Sequence, residues 1–61
     1  MLTDKEIQVL ELRQTGLTQV DVAKKLKITQ AAVSNFEKNA LRKISAAKEA
    51  LNVARRLGIE T

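Results

Sequence analysis

One apolar stripe runs along the second half of this chain without losing its helical phase. Its members recur three or four residues apart, and this spacing places side chains on one face of an α-helix. The stripe therefore predicts one continuous helix from Gln30 to about Leu57, roughly 42 Å long at 1.5 Å per residue. Ser45 supplies the alternative, a break in this helix, because a serine can cap a new helix. The stripe consists of Val33, Phe36, Ala40, Ile44, Ala47, Leu51, Ala54 and Gly58.

Three threonines mark three predicted helix starts. Thr3 stands three residues before Glu6, which is the capping-box pattern. Thr18 precedes a second helix of about eight residues, which is too short to persist without packing, and Thr29 precedes the long third helix. Gly16 is placed to end the first helix, because glycine adopts the left-handed conformation without a steric clash. The predicted fold is all-α, with three helices and an extended third helix.

The first two helices are each expected to turn an apolar face toward the third. Together these faces supply the core of a compact head. The predicted inward residues are Ile7, Val9, Leu10 and Leu12 on the first helix, and Val22, Ala23 and Leu26 on the second.

The composition limits both the size of the core and the available chemistry. The 61 residues make one domain at most, and so short a chain buries only about 60% of the surface that its unfolded form exposes. The chain has no Cys and no His, which excludes disulfides and the usual zinc ligands. Its carboxylates are scattered, and it has no Gly-rich phosphate loop. We therefore expect no metal, no cofactor and no enzymatic activity.

Charge is distributed unevenly along the chain. Residues 1–23 carry two positive and four negative charges, a net charge of −2, and residues 24–61 carry nine positive and three negative charges, a net charge of +6. This asymmetry indicates a surface that faces a polyanion, or else only a solubilising charge pattern. No apolar run approaches the ~20 residues of a membrane span, and no signal peptide is visible. These observations predict a cytoplasmic protein that does not enter a membrane.

The span 19–37 has the pattern of a helix-turn-helix. Two helices that meet at a steep angle across a short turn need a small residue at the crossing and apolar anchors beside it. Ala23 is that small residue, Ile28 fills the turn, and Val33 and Phe36 anchor the second helix. Lys27 occupies the turn position at which glycine is usual. If its φ is positive, lysine costs on the order of 1 kcal/mol relative to glycine; the alternative is a slightly different turn.

Residues 2–44 resemble the tetrahelical helix-turn-helix class, which includes LuxR-type regulators, region 4 of bacterial sigma factors and archaeal Tfx-type DNA-binding proteins. The resemblance rests on Leu2-Thr3, Val9-Leu10, Gly16-Leu17-Thr18-Gln19, Val22-Ala23, Val33-Ser34, Phe36-Glu37 and Ala40-Leu41-Arg42-Lys43-Ile44. The run 30–37 also resembles the helices of Cro-type repressors. The resemblance implies that the third helix enters the major groove of DNA while the second braces the backbone. Residues 45–61 lie outside it, and LuxR-type domains usually break there before a fourth helix.

The outer face of the third helix supplies the predicted base contacts. Asn35 and Gln30 can each bind adenine bidentately through N6 and N7, and small residues between them allow a close approach to base edges or a thymine methyl group. The predicted base contacts are Gln30, Ala31, Ser34, Asn35 and Lys38. The alternative is that Asn35 and Gln30 are ordinary surface residues.

Phosphate contacts are expected around this face. The start of the second helix exposes backbone amides that suit an anion, and basic side chains flank the third helix. The predicted phosphate contacts are Thr18, Gln19, Lys27, Thr29 and Arg42. Lys38 and Arg42 could instead pair with acidic residues of the first helix. Glu37 is expected to pair locally, because a carboxylate near a phosphate is unfavourable.

The chain divides into a helix-turn-helix domain, residues 1–44, and a C-terminal helical extension, residues 45–61. In the extension a second apolar set, formed by Ala46, Ala50, Val53 and Leu57, widens the apolar side beyond the roughly 100° that a surface helix needs. This excess predicts a homodimer; the alternative is that the segment folds back on the first helix. The predicted dimer interface consists of Ile44, Ala47, Ala50, Leu51, Ala54 and Leu57.

These predictions combine into one functional hypothesis with two rivals. The chain is expected to be a homodimeric, sequence-specific transcriptional regulator that binds double-stranded DNA. One rival is an adaptor module that binds proteins without specific DNA binding. The other is a nucleoid-type protein without sequence preference, against which the uncharged start of the third helix argues.

Overall fold

Three α-helices form the whole regular structure of residues 1–59, which are the residues that the computed structural model describes. Helix α1 spans Asp4–Gln14, α2 spans Gln19–Leu26 and α3 spans Gln30–Leu57. The described residues include no strand. The predicted all-α fold and long third helix are confirmed, and Ser45 lies inside α3 without a break.

Threonine hydroxyls cap all three helix starts. Thr3 Oγ accepts a hydrogen bond from the Glu6 amide at 3.2 Å, and the Glu6 carboxylate accepts one from the Thr3 amide at 2.8 Å. Thr18 and Asp21 form the same reciprocal pair at 3.1 and 3.2 Å. Thr29 Oγ accepts from the Ala32 amide at 3.0 Å. Each cap contributes about 1 kcal/mol relative to alanine.

Residues with positive φ end the helices. Gly16 follows α1 with a φ of +97°, and a Cβ there would meet nothing within 4 Å, so the backbone angle alone requires glycine. Lys27 ends α2 at φ 58° and ψ 44°. It is the one non-glycine residue with positive φ in the part of the chain that the structure describes. The turn therefore has the left-handed geometry, with lysine in place of the usual glycine.

The core lies where the three helices cross. It is built from Val9, Val22, Ala23 and Val33, with Leu12, Leu17, Leu26, Ile28 and Phe36 packed around them. Ile7 is exposed, so the expectation that it faces the core is wrong. Residues two apart on a helix point about 200° away from each other, so a buried Val9 turns Ile7 outward. Glu6 takes the buried position instead.

The second half of α3 runs beyond the head. Lys43 of α3 reaches α1 through a 2.8 Å contact between its Nζ and Glu6 Oε1. The large apolar side chains of this second half stay at the surface, and Leu57 has 67% of its area exposed. The extension continues the helix outward, so it does not fold back on α1 as the alternative held.

Within residues 1–59 no helix combines the length and the apolar character that a membrane span would need.

Candidate nucleic-acid interface

The first three turns of α3 present two faces of opposite character. Val33 and Ala40 are completely buried against the head. On the other side lie the predicted base-contact residues. Gln30, Ala31, Asn35 and Lys38 are exposed, and Ser34 is half-buried at the edge of the same face. The head thus holds this outer face in solvent and leaves amide, methyl, hydroxyl and ammonium groups free of the core.

The predicted phosphate contacts lie around the rim of this face. Thr18 and Thr29 stand at the starts of α2 and α3, and both side chains are exposed. Each hydroxyl oxygen accepts a backbone hydrogen bond as a cap. A hydroxyl that accepts still carries a hydrogen to donate, so capping does not remove either threonine from contact with an anion. Lys27 is exposed in the turn between the two starts.

Gln19 is placed differently from the other predicted phosphate contacts. It is half-buried, and its side-chain Nε2 donates a 2.8 Å hydrogen bond to Glu37 Oε1. The interaction joins the first residue of α2 to the outer part of α3. The expectation that Glu37 pairs locally is wrong, because this partner lies 18 positions away and no local pattern relates the two residues.

Glu37 connects all three helices. Its second oxygen, Oε2, accepts a 3.0 Å hydrogen bond from Arg13 Nε of α1. Arg13 also donates from Nη1 to the Leu17 carbonyl at 2.8 Å, which ties down the loop between α1 and α2. The hydrogen bond from Gln19 and, after it, the interaction with Arg13 lower the pKa of Glu37. The carboxylate is therefore ionised at neutral pH, with both oxygens occupied and its charge opposed by a guanidinium group.

Lys38 and Arg42 do not pair with the acidic residues of α1. The ion pairs within the described part of the chain are Arg13 with Glu37 and Lys43 with Glu6. Arg42 makes a long 3.4 Å contact to Asn39 Oδ1 on its own helix. Both cations therefore stay at the surface of α3, where a polyanion can reach them. It is the neighbouring Lys43 that pairs with α1.

Residues 1–54 match the family described as bacterial regulatory proteins of the luxR family. The chain belongs to this family. Membership makes the three-helix unit a helix-turn-helix domain of DNA-binding regulators, which is not a class of enzymes. The match extends beyond residues 2–44, on which the sequence resemblance rested, and includes most of the α3 extension.

Similar proteins occur among archaea. One from Pyrococcus horikoshii, named "Putative transcriptional regulatory protein", is 54% identical over 50 residues, which cover 82% of this chain and 35% of that protein. A protein of Methanocaldococcus jannaschii with the same descriptive name is 41% identical over 56 residues, covering 92% of this chain and 41% of that protein. The chain thus spans well under half the length of these relatives. No solved structure matches it.

Proposed function

We propose that this luxR-family chain is a transcriptional regulator that recognises a specific sequence in double-stranded DNA and acts as a homodimer. The outer face of α3 carries the proposal. Five residues with side chains suited to base edges share this face. The face points away from the core because Val33 and Ala40, on the opposite side of the helix, are buried.

Base readout is assigned to the middle of that face. Asn35 and Gln30 are the side chains whose donor and acceptor pair matches the N6 and N7 atoms of adenine. Ala31 and Ser34 are small enough to let the helix approach, and Ala31 can contact a thymine methyl group. Lys38, one turn further on, reaches a peripheral base or the backbone.

Phosphate contacts position the helix in the groove. Thr18 and Gln19 present the start of α2 to one strand, where backbone amides and the helix dipole favour an anion. Thr29, Lys27 and Arg42 surround the reading face and are all exposed. Such contacts fix orientation and carry no sequence information directly.

Dimerisation is supported by the bare apolar side of the extension. The proposed interface contains Ile44, Ala47, Ala50, Leu51, Ala54 and Leu57. All of these except the half-buried Ala54 are exposed. A lone helix of this length is marginal in water, and a second copy offers the same small and branched side chains for close packing. Two reading heads would then meet major grooves about 34 Å apart or a multiple of that distance. A cytoplasmic location belongs to the proposal, because its ligand is genomic DNA.

Selection of bound sequences from a random DNA pool tests the specificity. The wild-type chain should enrich one motif, repeated with two-fold symmetry if two copies bind. Asn35→Ala should relax the preference at one position and cost about 1–3 kcal/mol on the selected site. Asn52→Ala, on the exposed extension, is the matched control and should change neither. Enrichment of the same motif by Asn35→Ala with equal strength would refute the assignment of Asn35.

The exposed stripe also favours a second candidate, an adaptor that binds another protein through Ile44, Leu51 and Leu57. It differs in two measurable ways. Sedimentation would find a monomer, and a DNA titration would find weak binding without sequence preference. The homodimeric regulator requires the opposite result in both measurements.

A further inference from the structure

Glu37 lies in an unexpected place for a carboxylate near a DNA-binding surface. It shares the first three turns of α3 with the proposed base contacts, and a negative charge there repels phosphate. Yet both of its oxygens accept hydrogen bonds, from Gln19 at 2.8 Å and from Arg13 at 3.0 Å. Arg13 compensates the charge, so the group is built into the surface and has a defined orientation.

The hydrogen bond to Glu37 uses only one of the two N–H groups of the Gln19 side chain. A primary amide has two N–H groups, and one of them is directed at Glu37 Oε1. Donation to Glu37 fixes the plane of the amide and leaves the second N–H to donate elsewhere. Gln19 is the first residue of α2, where the helix dipole and the first backbone amides favour an anion.

We propose that Glu37 is a positioning residue for DNA binding: it holds the Gln19 amide so that the second N–H and the start of α2 meet the same phosphate. This inference rests on the proposed DNA-binding function. It gives a negatively charged side chain a favourable role in binding a polyanion. Glu37 acts through Gln19 and touches no DNA itself.

Charge and geometry predict opposite effects for Glu37→Gln. The variant raises the net charge of +4 by one, which on electrostatics alone should tighten binding to DNA. The positioning role predicts weaker binding. Arg13 retains the remaining carbonyl oxygen of the new side chain, and the new amide group then faces the Gln19 donor. Gln19 must either flip its amide to accept from that group or move away, and in both cases its N–H groups leave their present positions. Loss of one such hydrogen bond corresponds to about a fivefold rise in Kd.

The experiment measures Kd for selected DNA with four variants and the wild type at one salt concentration, with urea unfolding of each free protein. The variants are Glu37→Gln, Gln19→Ala, the double variant and Glu11→Gln. Glu11 is an exposed carboxylate of α1, so its variant reports the charge effect alone. Glu37→Gln should bind about fivefold more weakly than wild type, and Glu11→Gln equally or more tightly. In the Gln19→Ala background, Glu37→Gln should have no further weakening effect.

Three results overturn the inference, and failure of the inference alone is distinguishable from failure of the proposed function. If the folded Glu37→Gln protein binds as tightly as Glu11→Gln while only its unfolding midpoint falls, Glu37 is a stability residue and does not position Gln19. The same conclusion follows if Glu37→Gln weakens binding equally with and without Gln19. If the wild type binds no DNA, the proposed function itself fails, and this inference fails with it.

Discussion

Lys27 holds a backbone conformation that favours glycine, at the turn that sets α2 against α3. Its φ of 58° is positive, and for a residue with a Cβ this region costs roughly 1–2 kcal/mol. The side chain is exposed, so packing does not compensate for the strain. This cation lies at the end of α2, two residues before the Thr29 cap of α3, where the proposed interface would use it. The strain and the charge occur at the same residue.

Lys27→Gly should stabilise the free protein by up to about 1 kcal/mol, because glycine relieves the strain while adding some entropy to the unfolded chain. The same variant should weaken binding to all DNA sequences alike, since it removes a cation that reads no base. Urea unfolding and a DNA titration measure the two effects. Lys25→Gly, inside α2, is the control and should lose about 1 kcal/mol of stability. A destabilised Lys27→Gly protein would contradict the expected strain.

Glu6 and Lys43 form the other residue-scale feature that matters. Glu6 is only 3% exposed, and its carboxylate accepts from both the Thr3 amide and Lys43 Nζ. Lys43 also donates to the Met1 carbonyl at 3.2 Å. The pair anchors the chain start and α1 to α3 at the point where the extension leaves the head.

Lys43→Met should destabilise the protein by about 2 kcal/mol, because it leaves a buried carboxylate without its cation. The fall is expected to be smaller than for a fully enclosed pair, since the lysine side chain is one-third exposed. Thermal or urea unfolding measures it. Lys48→Met, on the exposed part of the same helix, should change the stability by less than about 0.5 kcal/mol. Equal effects of the two substitutions would show that the pair contributes nothing.

At the scale of the element, α3 combines two environments in one uninterrupted helix. From Gln30 to Lys43 it packs on α1 and α2, and from Ile44 to Leu57 its apolar side faces solvent. Its end is well formed: Gly58 has a φ of 71°, and its amide donates to the Arg55 carbonyl at 3.2 Å. The second half of α3 is therefore a continuous, capped helix in the single chain, with its apolar side uncovered.

Leu51→Lys should shift the proposed dimer to monomers, because two-fold packing would place two buried cations in one interface. We expect the dimer dissociation constant to rise more than tenfold, since burying an unpaired charge costs several kcal/mol. Sedimentation over a range of protein concentrations measures it. Asn52→Lys adds the same charge to the adjacent exposed position and should leave association unchanged. A Leu51→Lys protein that still dimerises would place the interface elsewhere.

For the molecule as a whole, three carboxylates have lowered pKa values: Glu6 and Glu37 link different helices, and Asp21 caps the start of α2. The interaction with Lys43 lowers the pKa of Glu6, the bond from Thr18 lowers that of Asp21, and the bond from Gln19 lowers that of Glu37. A lowered folded-state pKa means that the unfolded chain binds protons more readily. The stability from these groups is then present above their usual pKa values of about 4 and is lost as pH falls through the lower folded values.

The melting temperature should therefore be nearly constant from about pH 7 to pH 5.5 and fall steadily below about pH 4.5. Calorimetry at one protein concentration measures this dependence. Glu37→Gln should make the acid slope shallower, because it removes one group whose pKa is lowered in the folded protein. A slope that is the same in the variant and the wild type would exclude Glu37 as a contributor.

The sequence predicted what local patterns control. The three threonine caps and the unbroken stripe of α3 each depend on a few neighbouring residues, and the structure confirms them. Ile7 was misplaced because a run of apolar residues was read as one face. The bonds from Arg13 and Gln19 to Glu37 and from Lys43 to Glu6 have no local signal, since tertiary packing brings these residues together. The assigned DNA contacts remain predictions.

The unbroken α3 helix fixes how far the apolar stripe is rotated about the helix axis relative to the outer face that carries the proposed base contacts. Inserting one residue after Lys43 would rotate everything beyond it by about 100° relative to Asn35 and advance it by 1.5 Å. Inserting seven residues would restore the angle to within about 20°. A set of insertion variants should thus lose and regain cooperative binding as whole helical turns are added, most fully at seven residues, and the spacing of the preferred half-sites should change with the length of the helix.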